Sequence, residues 1–183
     1  MAIELDKNDI RLEAIRFLAK ALDAKDDKFH TSHFKVEENG SAVSSNGAIL
    51  HWAKDVSLKP GYYKVHKITK TKALIDKVFD LDTNEGSFPD YQDLLRIPDA
   101  KRFDVWLSPD GYAPAKAYTK IIRAMEVSTI DFIFLNNLCS IFDDIFSVVI
   151  PKSEEFGGTI QTFKAIHLLK NDYHVLIMPL LVD

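Results

Sequence analysis

The chain is 183 residues long, and 46% of its residues are hydrophobic, 11% aromatic and 27% charged. This composition excludes a disordered or low-complexity chain and predicts a hydrophobic core. The net charge of −4 argues against general adhesion to nucleic acid, although it leaves room for a local basic face. The longest apolar run, residues 175–182, is too short for a membrane-spanning helix. A charged N-terminus and a single cysteine, Cys139, predict a cytoplasmic protein without an internal disulfide.

The first half of the sequence predicts one helix followed by antiparallel strands. Apolar residues recur at helical spacing through residues 8–24, which indicates an amphipathic helix. Residues 30–37 and 42–53 predict a hairpin, because a short polar segment with a glycine separates them. A further strand is expected at 62–68, and its continuation at 71–79 predicts a short helix.

The second half repeats this order after an extended connection. Residues from about 80 to 103 contain Pro, Asp, Asn and Gly and have little periodicity, so we expect a long linking segment there. A strand is predicted at 104–107 and a second amphipathic helix at 113–126. Further strands are predicted at 129–135, 146–150, 160–168 and 173–182.

The repeated order predicts an α+β fold. Each half supplies one helix and a set of antiparallel strands, and the two halves share a single sheet that carries both helices on one face. We therefore expect one domain over residues 1–183.

The predicted helices carry basic residues on their polar faces. Lys116, Lys120 and Arg123 fall at i, i+4 and i+7 and form a cationic stripe on the second helix. Such a stripe can contact phosphates without reading bases, although an ordinary solvated surface would look the same. On the first helix, Arg16 and Lys20 share the polar face with acidic residues, so this helix is equally typical of a salt-bridged surface.

Three stretches, taken in chain order, resemble motifs of the bacterial β sliding clamp, the processivity subunit of DNA polymerase III. VSSNGAILHW at 43–52 is similar to the family's A-T-D-G-H-R-L strand turn. Phe88-Pro89-Asp90-Tyr91, followed by Pro98, is similar to its F-P-D-Y-x-x-x-x-P segment, with two more residues before the second proline. YHVLIMPL at 173–180 is similar to its closing Y-V-V-M-P-M strand.

The resemblance implies a domain of two helix-plus-strands halves, with the sheet outside and the helices inside. Rings of about six such domains enclose duplex DNA in the family. The stripe of Lys116, Lys120 and Arg123 would then face the hole together with Arg16 and Lys20, and would hold duplex DNA by diffuse phosphate attraction.

The resemblance also implies an apolar pocket for a short peptide of partner proteins. The family's His-Arg after D-G is replaced here by Ala48-Ile49, which removes polar groups at the border of that pocket. The positions that carry over are Gly47, Leu50, Pro89, Leu176, Met178 and Pro179.

These observations predict a non-catalytic, sliding-clamp-like protein that assembles around or docks to duplex DNA and recruits a polymerase or other clamp-binding protein. A homo-oligomeric ring of about six copies is one expected arrangement, and a protein that docks to DNA without closing a ring is the other. No membrane partner is expected. The alternative is a clamp mimic, encoded by a phage or mobile element, that binds clamp partners without encircling DNA. An enzyme with an unrecognised α+β site is a third reading, but no constellation of catalytic groups supports it.

The sequence predicts no cofactor and no metal. It contains no nucleophile elbow, phosphate-binding loop or dinucleotide-binding glycine motif. His30 and His33 point to opposite faces if they lie on a strand, which disfavours a shared metal ion. Cys139 lies among apolar residues and is expected to be a buried structural thiol.

Overall fold

A computed structural model describes most of the first half of the chain and parts of the second. The chain forms two compact units, Met1–Asp90 and Tyr91–Asp183, and each is described here by itself. The described residues are 2–23, 26, 28–81, 88, 90–97, 100–106, 128–129, 145–151, 154–156, 159–161, 165–178 and 180–181.

The first unit is an antiparallel sheet with a helix packed on one face. Its strands lie in the spatial order β1, β6, β5, β2, β3, β4. In chain order the elements are β1 (Ala2–Leu5), α1 (Arg11–Ala19), α2 (Phe29–Ser32), β2 (His33–Val36), β3 (Ala42–Ser45), β4 (Ile49–Ala53), β5 (Gly61–Ile68) and β6 (Ala73–Phe79).

The core of this unit lies between α1 and the sheet. Leu12, Ile15 and Phe17 are among the α1 side chains that are buried, because they fall on the helix face that meets the strands. Phe34 and Tyr63, a cross-strand pair of β2 and β5, stack beneath the helix with ring centroids 5.2 Å apart. Full burial of each large apolar side chain stabilises the fold by about 2 kcal/mol.

The opposite face of the same sheet is covered locally by α2. Phe29 stacks on His33 with ring centroids 4.4 Å apart and meets the edge of Tyr62 at 5.1 Å. The alternation of side chains along β2 places His33 on the face away from α1, since Phe34 faces the helix. The sheet therefore has one face packed on α1 and a second face that is partly open.

The second unit also contains an antiparallel sheet, in the order β7, β9, β12, β13. A short 3₁₀ helix, η1 (Asp93–Leu95), lies against β13. Two further pairings, β10 with β11 and β8 with β14, are separate from that sheet. The strands are β7 (Ala100–Trp106), β8 (Ser128–Thr129), β9 (Ile145–Pro151), β10 (Glu154–Phe156), β11 (Thr159–Gln161), β12 (Ile166–Lys170), β13 (Tyr173–Ile177) and β14 (Leu180–Leu181).

Most of the predicted elements in the described residues are confirmed, with shifted ends. The first helix, the hairpin of β2 and β3, and the strands β5 and β9 lie where the patterns place them. The predicted strand 30–37 is helical up to Ser32, and the strand predicted at 104–107 already begins at Ala100. The segment 42–53, predicted as one arm of a hairpin, is divided by a turn into β3 and β4, which pair with each other. The second helix, 113–126, lies outside the described residues.

The short helix predicted at 71–79 is wrong, because these residues form β6. Ala73 and Ile75 alternate with partly exposed neighbours and point toward the core, which is a strand pattern. Antiparallel pairing with β1 on one side and β5 on the other satisfies the backbone of this segment. Tertiary pairing therefore overrides a local pattern that is compatible with either structure.

Candidate nucleic-acid interface

The last turn of α1 is tied to the sheet by two buried side chains. The Ser44 hydroxyl of β3 donates a 2.7 Å hydrogen bond to the carbonyl oxygen of Leu18. His51 of β4, which pairs directly with Ser44 across the strands, contacts the carbonyl oxygen of Phe17 through Nδ1 at 2.6 Å. Carbonyls in the last turn of a helix lack the full set of helical partners, so these two bonds fix the helix end on the sheet.

The hydrogen bond of His51 identifies its tautomer. A carbonyl oxygen only accepts, so Nδ1 carries the proton and donates it to Phe17. The imidazole also stacks on the Phe17 ring at 4.4 Å, and its buried Nε2 has no hydrogen-bond partner among the described residues. Burial lowers the pKa of His51 to about 4, and the charge of Lys20 acts in the same direction. His51 is therefore neutral at physiological pH.

The predicted cations of the first helix, Arg16 and Lys20, lie on the side of α1 that faces away from the sheet. Both side chains are half-buried, and they are one helical turn apart. Partial burial, together with the neighbouring charge of Arg16, lowers the pKa of Lys20. Two positive charges thus lie close together at the C-terminal end of this surface, where the helix dipole favours cations.

The N-terminal end of α1 has a different charge balance. The Arg11 guanidinium donates two hydrogen bonds to the Asp9 carboxylate, at 2.9 and 2.7 Å. Hydrogen bonding to Arg11 holds the pKa of Asp9 at about 2, so the pair is charged and mutually neutralising at neutral pH. Glu13 is exposed on the same helix. The cationic character of α1 is therefore confined to Arg16 and Lys20.

The stripe predicted on the second helix, Lys116, Lys120 and Arg123, lies outside the described residues. Its role in binding DNA stays a prediction.

Gly47 and Leu50, two of the predicted pocket residues, lie on the hairpin of β3 and β4. Gly47 occupies the exposed turn with φ +89°, a conformation that favours glycine. The Asn46 carboxamide oxygen accepts hydrogen bonds from the backbone N–H groups of Ala48 and Ile49, each at 3.0 Å, and closes the turn. Leu50 is buried on the sheet face away from α1, opposite Ser45.

Leu176 and Met178 lie at the end of β13 in the second unit. Leu176 is buried within the strand, whereas Met178, directly after it, is 42% exposed. Sequence reasoning missed two further exposed apolar residues of this unit, Leu94 in η1 and Ile97 just after it, at 50% and 51% exposed. Their apolar character in an otherwise polar segment was the available signal. Pro89 and Pro179 are outside the described residues.

His33, one of the two histidines considered as metal ligands, has a structural environment, and His30 lies in α2 instead of on a strand. Nδ1 of His33 lies 3.0 Å from the carbonyl oxygen of Phe29 and 2.9 Å from the Ser32 hydroxyl, and the ring stacks on Phe29. Burial lowers the pKa of His33. Across the described ranges, no group of three or more potential metal ligands comes together. Cys139 is outside those ranges.

Helices long and apolar enough to cross a membrane are absent from the part of the chain that the structure describes.

The structure is similar to solved bacterial sliding clamps, although neither a protein-family model nor a curated protein matches the sequence. Caulobacter crescentus pol III β aligns with a TM-score of 0.60 at 13% identity, over 99% of this chain and 66% of that chain. The DNA polymerase III β subunit from Borrelia burgdorferi, solved with a natural product, gives 0.58 at 12% identity, over 100% and 63%. The Helicobacter pylori β clamp bound to a DNA ligase peptide gives 0.56 at 11% identity, over 98% and 65%.

These alignments include nearly all of this chain but only about two-thirds of each clamp chain. At 11–13% identity they establish the fold and leave the activity to separate argument. The resemblance first suggested by three short motifs therefore extends over the whole chain: this protein has the α+β fold of the bacterial β sliding clamps.

Proposed function

We propose that this protein is a non-catalytic, sliding-clamp-like factor that assembles around or docks to duplex DNA and recruits replication proteins. The observation that carries the proposal is the alignment of nearly the whole chain with the clamp fold. The fold supports placing α1 on the side of the sheet that meets DNA.

The charge distribution of α1 supports phosphate contact without base recognition. Arg16 and Lys20 are adjacent at one end of the helix, and the hydrogen bonds from Ser44 and His51 hold that end rigidly on the sheet. Lys116, Lys120 and Arg123 on the predicted second helix would supply further cations for phosphate contact. A net charge of −4 argues against general adhesion of the chain to DNA, so binding would depend on local basic surfaces and would be diffuse and salt-sensitive.

We further propose that partner proteins insert a short apolar segment at the pocket residues of the clamp fold. The exposed Met178, and the apolar Leu94 and Ile97 in the same unit, offer the contact surface that such a segment needs. The H. pylori clamp of the comparison holds a DNA ligase peptide. With Ala48-Ile49 after Gly47, recognition here would depend on apolar contacts more than on polar ones.

Encircling DNA requires several copies of a chain of this length. Pairing between outer strands is the simplest contact, because such a strand presents unpaired backbone groups. β1 in the first unit and β7 in the second are outer strands of their sheets. We propose these strands as the contact regions of an oligomer.

Reversing the charge of the second helix tests the proposed DNA-facing surface. Lys116→Glu combined with Lys120→Glu should weaken binding to a labelled duplex of about 30 base pairs by about tenfold at about 50 mM salt, because two phosphate contacts are lost. Fluorescence anisotropy over a salt series measures both the affinity and its salt dependence, and the dependence should fall by about two counterions.

The matched control replaces two exposed lysines that belong neither to α1 nor to the predicted second helix, Lys7→Glu with Lys28→Glu, and changes the net charge equally. It should bind within about twofold of the unmodified protein. If the helix variant behaves like this control while its urea unfolding is unchanged, the proposed DNA surface is wrong.

Light scattering after size exclusion, with linear and circular duplex, separates a clamp from a clamp mimic. An oligomer that is retained on circular DNA and slides off linear DNA supports encirclement. A monomer that ignores both DNAs but captures a clamp-binding peptide would replace this proposal with the clamp mimic.

A further inference from the structure

The hairpin formed by β5 and β6 begins with the most basic segment of the chain. Residues 59–72, which we call the lysine hairpin, contain five lysines and one histidine but no acidic residue. The other 169 residues hold 18 basic and 27 acidic side chains, a net charge of −9. The molecule is therefore strongly polarised, and the positive charge is concentrated in one short element.

Two lysines of the lysine hairpin, Lys64 and Lys67, lie on the sheet face away from α1. Lys64 lies opposite His33 on β2 and opposite Asp76 on β6, and both neighbours belong to that face. A bulge between Val65 and Lys67 shifts the register by one residue, so that Lys67 pairs with Leu74 on the same face. The bulge thus keeps two lysines on one side that plain alternation would send to opposite sides.

The tip of the hairpin is ordered by its own hydrogen bonds. The backbone N–H of Thr69 donates to the carbonyl oxygen of Lys72 at 2.8 Å, and the N–H of Lys72 donates to the Thr69 hydroxyl at 3.0 Å. Lys70 is exposed in this turn. The lysines therefore stand on a preformed element, which lowers the entropic cost of binding a ligand.

Most of these ammonium groups are not neutralised within the molecule. Lys72 lies 3.4 Å from Glu4, and both side chains are more than 60% exposed, so this ion pair is weak. Asp76 bonds to His66 at 3.1 Å. Within the residues that the structure describes, Lys64, Lys67 and Lys70 form no ion pair.

A shallow pocket of about 330 Å³ opens beside the tip. The Lys67 and Lys72 side chains and the residue Thr69 reach it from one strand and the turn, and Glu4 reaches it from β1. Its lining residues are Glu4, Lys67, Thr69, Lys72, Ala73 and Leu74. Two lysines against one glutamate leave this lining with a net positive charge, which favours an anionic group such as a phosphate.

We propose that the lysine hairpin binds the phosphodiester backbone of nucleic acid, on the sheet face opposite to α1. This site goes beyond the function proposed above, which places duplex DNA on the helix side, and does not depend on it. The hairpin would contact a strand outside the helix-lined surface, in a sequence-independent and salt-sensitive manner.

The chemistry of the hairpin favours nucleic acid over an acidic protein segment. Protein-binding surfaces are poor in lysine and depend on exposed aromatic or arginine anchors. The lysine hairpin has no arginine, and its two aromatic residues, Tyr62 and Tyr63, are buried. Ile68, at 38% exposed, is its one large apolar residue that reaches the surface. Point charges without an apolar centre suit phosphates.

Charge reversal at the tip tests this site. Lys67→Glu with Lys70→Glu should weaken binding to a labelled oligothymidine of about 30 nucleotides by about tenfold at about 50 mM salt, and lower the salt dependence by about two counterions. The control is Lys7→Glu with Lys28→Glu, which changes the net charge equally and should bind within about twofold of the unmodified protein. Anisotropy over a salt series is the readout for all three proteins.

Equal affinity of the hairpin variant and the control would overturn the proposal, and so would an unmodified protein that binds a polyglutamate peptide but no oligonucleotide. Should the double Glu variant unfold, Lys67→Gln with Lys70→Gln keeps the test available, with a smaller expected loss of about threefold. The Lys116→Glu, Lys120→Glu variant is measured in parallel. Loss of oligothymidine binding in the hairpin variant but not in the helix variant supports this site, whereas loss in the helix variant alone would overturn it; the helix surface itself is judged by the duplex measurement.

Discussion

Acidification from about pH 7.5 to about pH 5 should lower the free energy of unfolding by about 2 kcal/mol through His51 alone. Burial lowers the pKa of folded His51 to about 4, whereas the unfolded chain titrates near the ordinary histidine value of 6.5. Below pH 6.5 the unfolded state therefore binds a proton that the folded state excludes, and stability falls as the pH falls toward 4. Well above pH 6.5 neither state binds this proton, and the effect vanishes.

A second buried histidine adds to this effect in the same direction. His174 Nε2 lies 2.9 Å from Nδ1 of His167, which is itself buried, so one ring donates to the other as long as one of these two nitrogens is unprotonated. Burial, followed by the charge of His167, lowers the pKa of His174 to about 4, and burial lowers the pKa of His167. The expected loss of stability on acidification therefore exceeds that of His51 alone.

Urea unfolding at a series of pH values measures this dependence. In His51→Asn the amide nitrogen can still donate toward Phe17, but the titrating ring is absent, so the slope between pH 6.5 and 4 should decrease by about one proton. Ser44→Ala is the matched control: it removes the neighbouring bond to α1, costs about 1 kcal/mol and leaves the slope unchanged. An equal slope in His51→Asn and the unmodified protein would show that His51 is not the titrating group.

Gly61→Ala should destabilise the protein by about 3 kcal/mol, because glycine is required there by both conformation and space. Gly61 has φ +140°, which L side chains rarely adopt. A methyl group at this position would lie 2.6 Å from the carbonyl oxygen of Phe79 and would overlap the side chain of Lys77. The carbonyl belongs to the partner strand, so relief would require β5 and β6 to separate where their pairing begins.

Gly47→Ala provides the comparison for this variant. Gly47 also has a positive φ, +89°, but a Cβ there would meet no atom within 4 Å. Its substitution should cost about 1 kcal/mol, from backbone strain alone. Urea midpoints of the two variants, measured at the same pH, separate strain from steric overlap. Equal destabilisation would mean that the contact with Phe79 is relieved without cost.

Local sequence patterns were sufficient to predict the elements whose own apolar spacing or turn residues specify them. α1 and the hairpin of β2 and β3 follow from apolar spacing and from a polar turn. β1 was missed because it is four residues long, contains an exposed glutamate, and pairs with β6, about 70 residues away in the sequence. The residues of such a segment do not indicate a pairing partner so far away in the sequence. The same long-range pairing explains why the prediction of a helix at β6 is wrong.

Some features of the candidate site could also be predicted from local sequence, and others could not. Asn46-Gly47 is a local turn signal, so that hairpin was predictable from sequence. The role of His51 was not, because its acceptor is a carbonyl 34 residues earlier in the sequence, and only the folded helix brings the two together. The lysine hairpin had a local signal, five lysines in 14 residues without an acid, which a charge count along the chain would have detected.

The orientation of the cations on α1 depends on residues outside the helix. The two hydrogen bonds to Phe17 and Leu18 come from neighbouring strands, so they prevent the helix end from rolling about its axis. The direction of Arg16 and Lys20 is therefore specified by Ser44 and His51, two residues buried from solvent. If the helix sequence alone were grafted onto another sheet, Arg16 and Lys20 would be transferred without the contacts that orient them. A functional graft must therefore include β3 and β4.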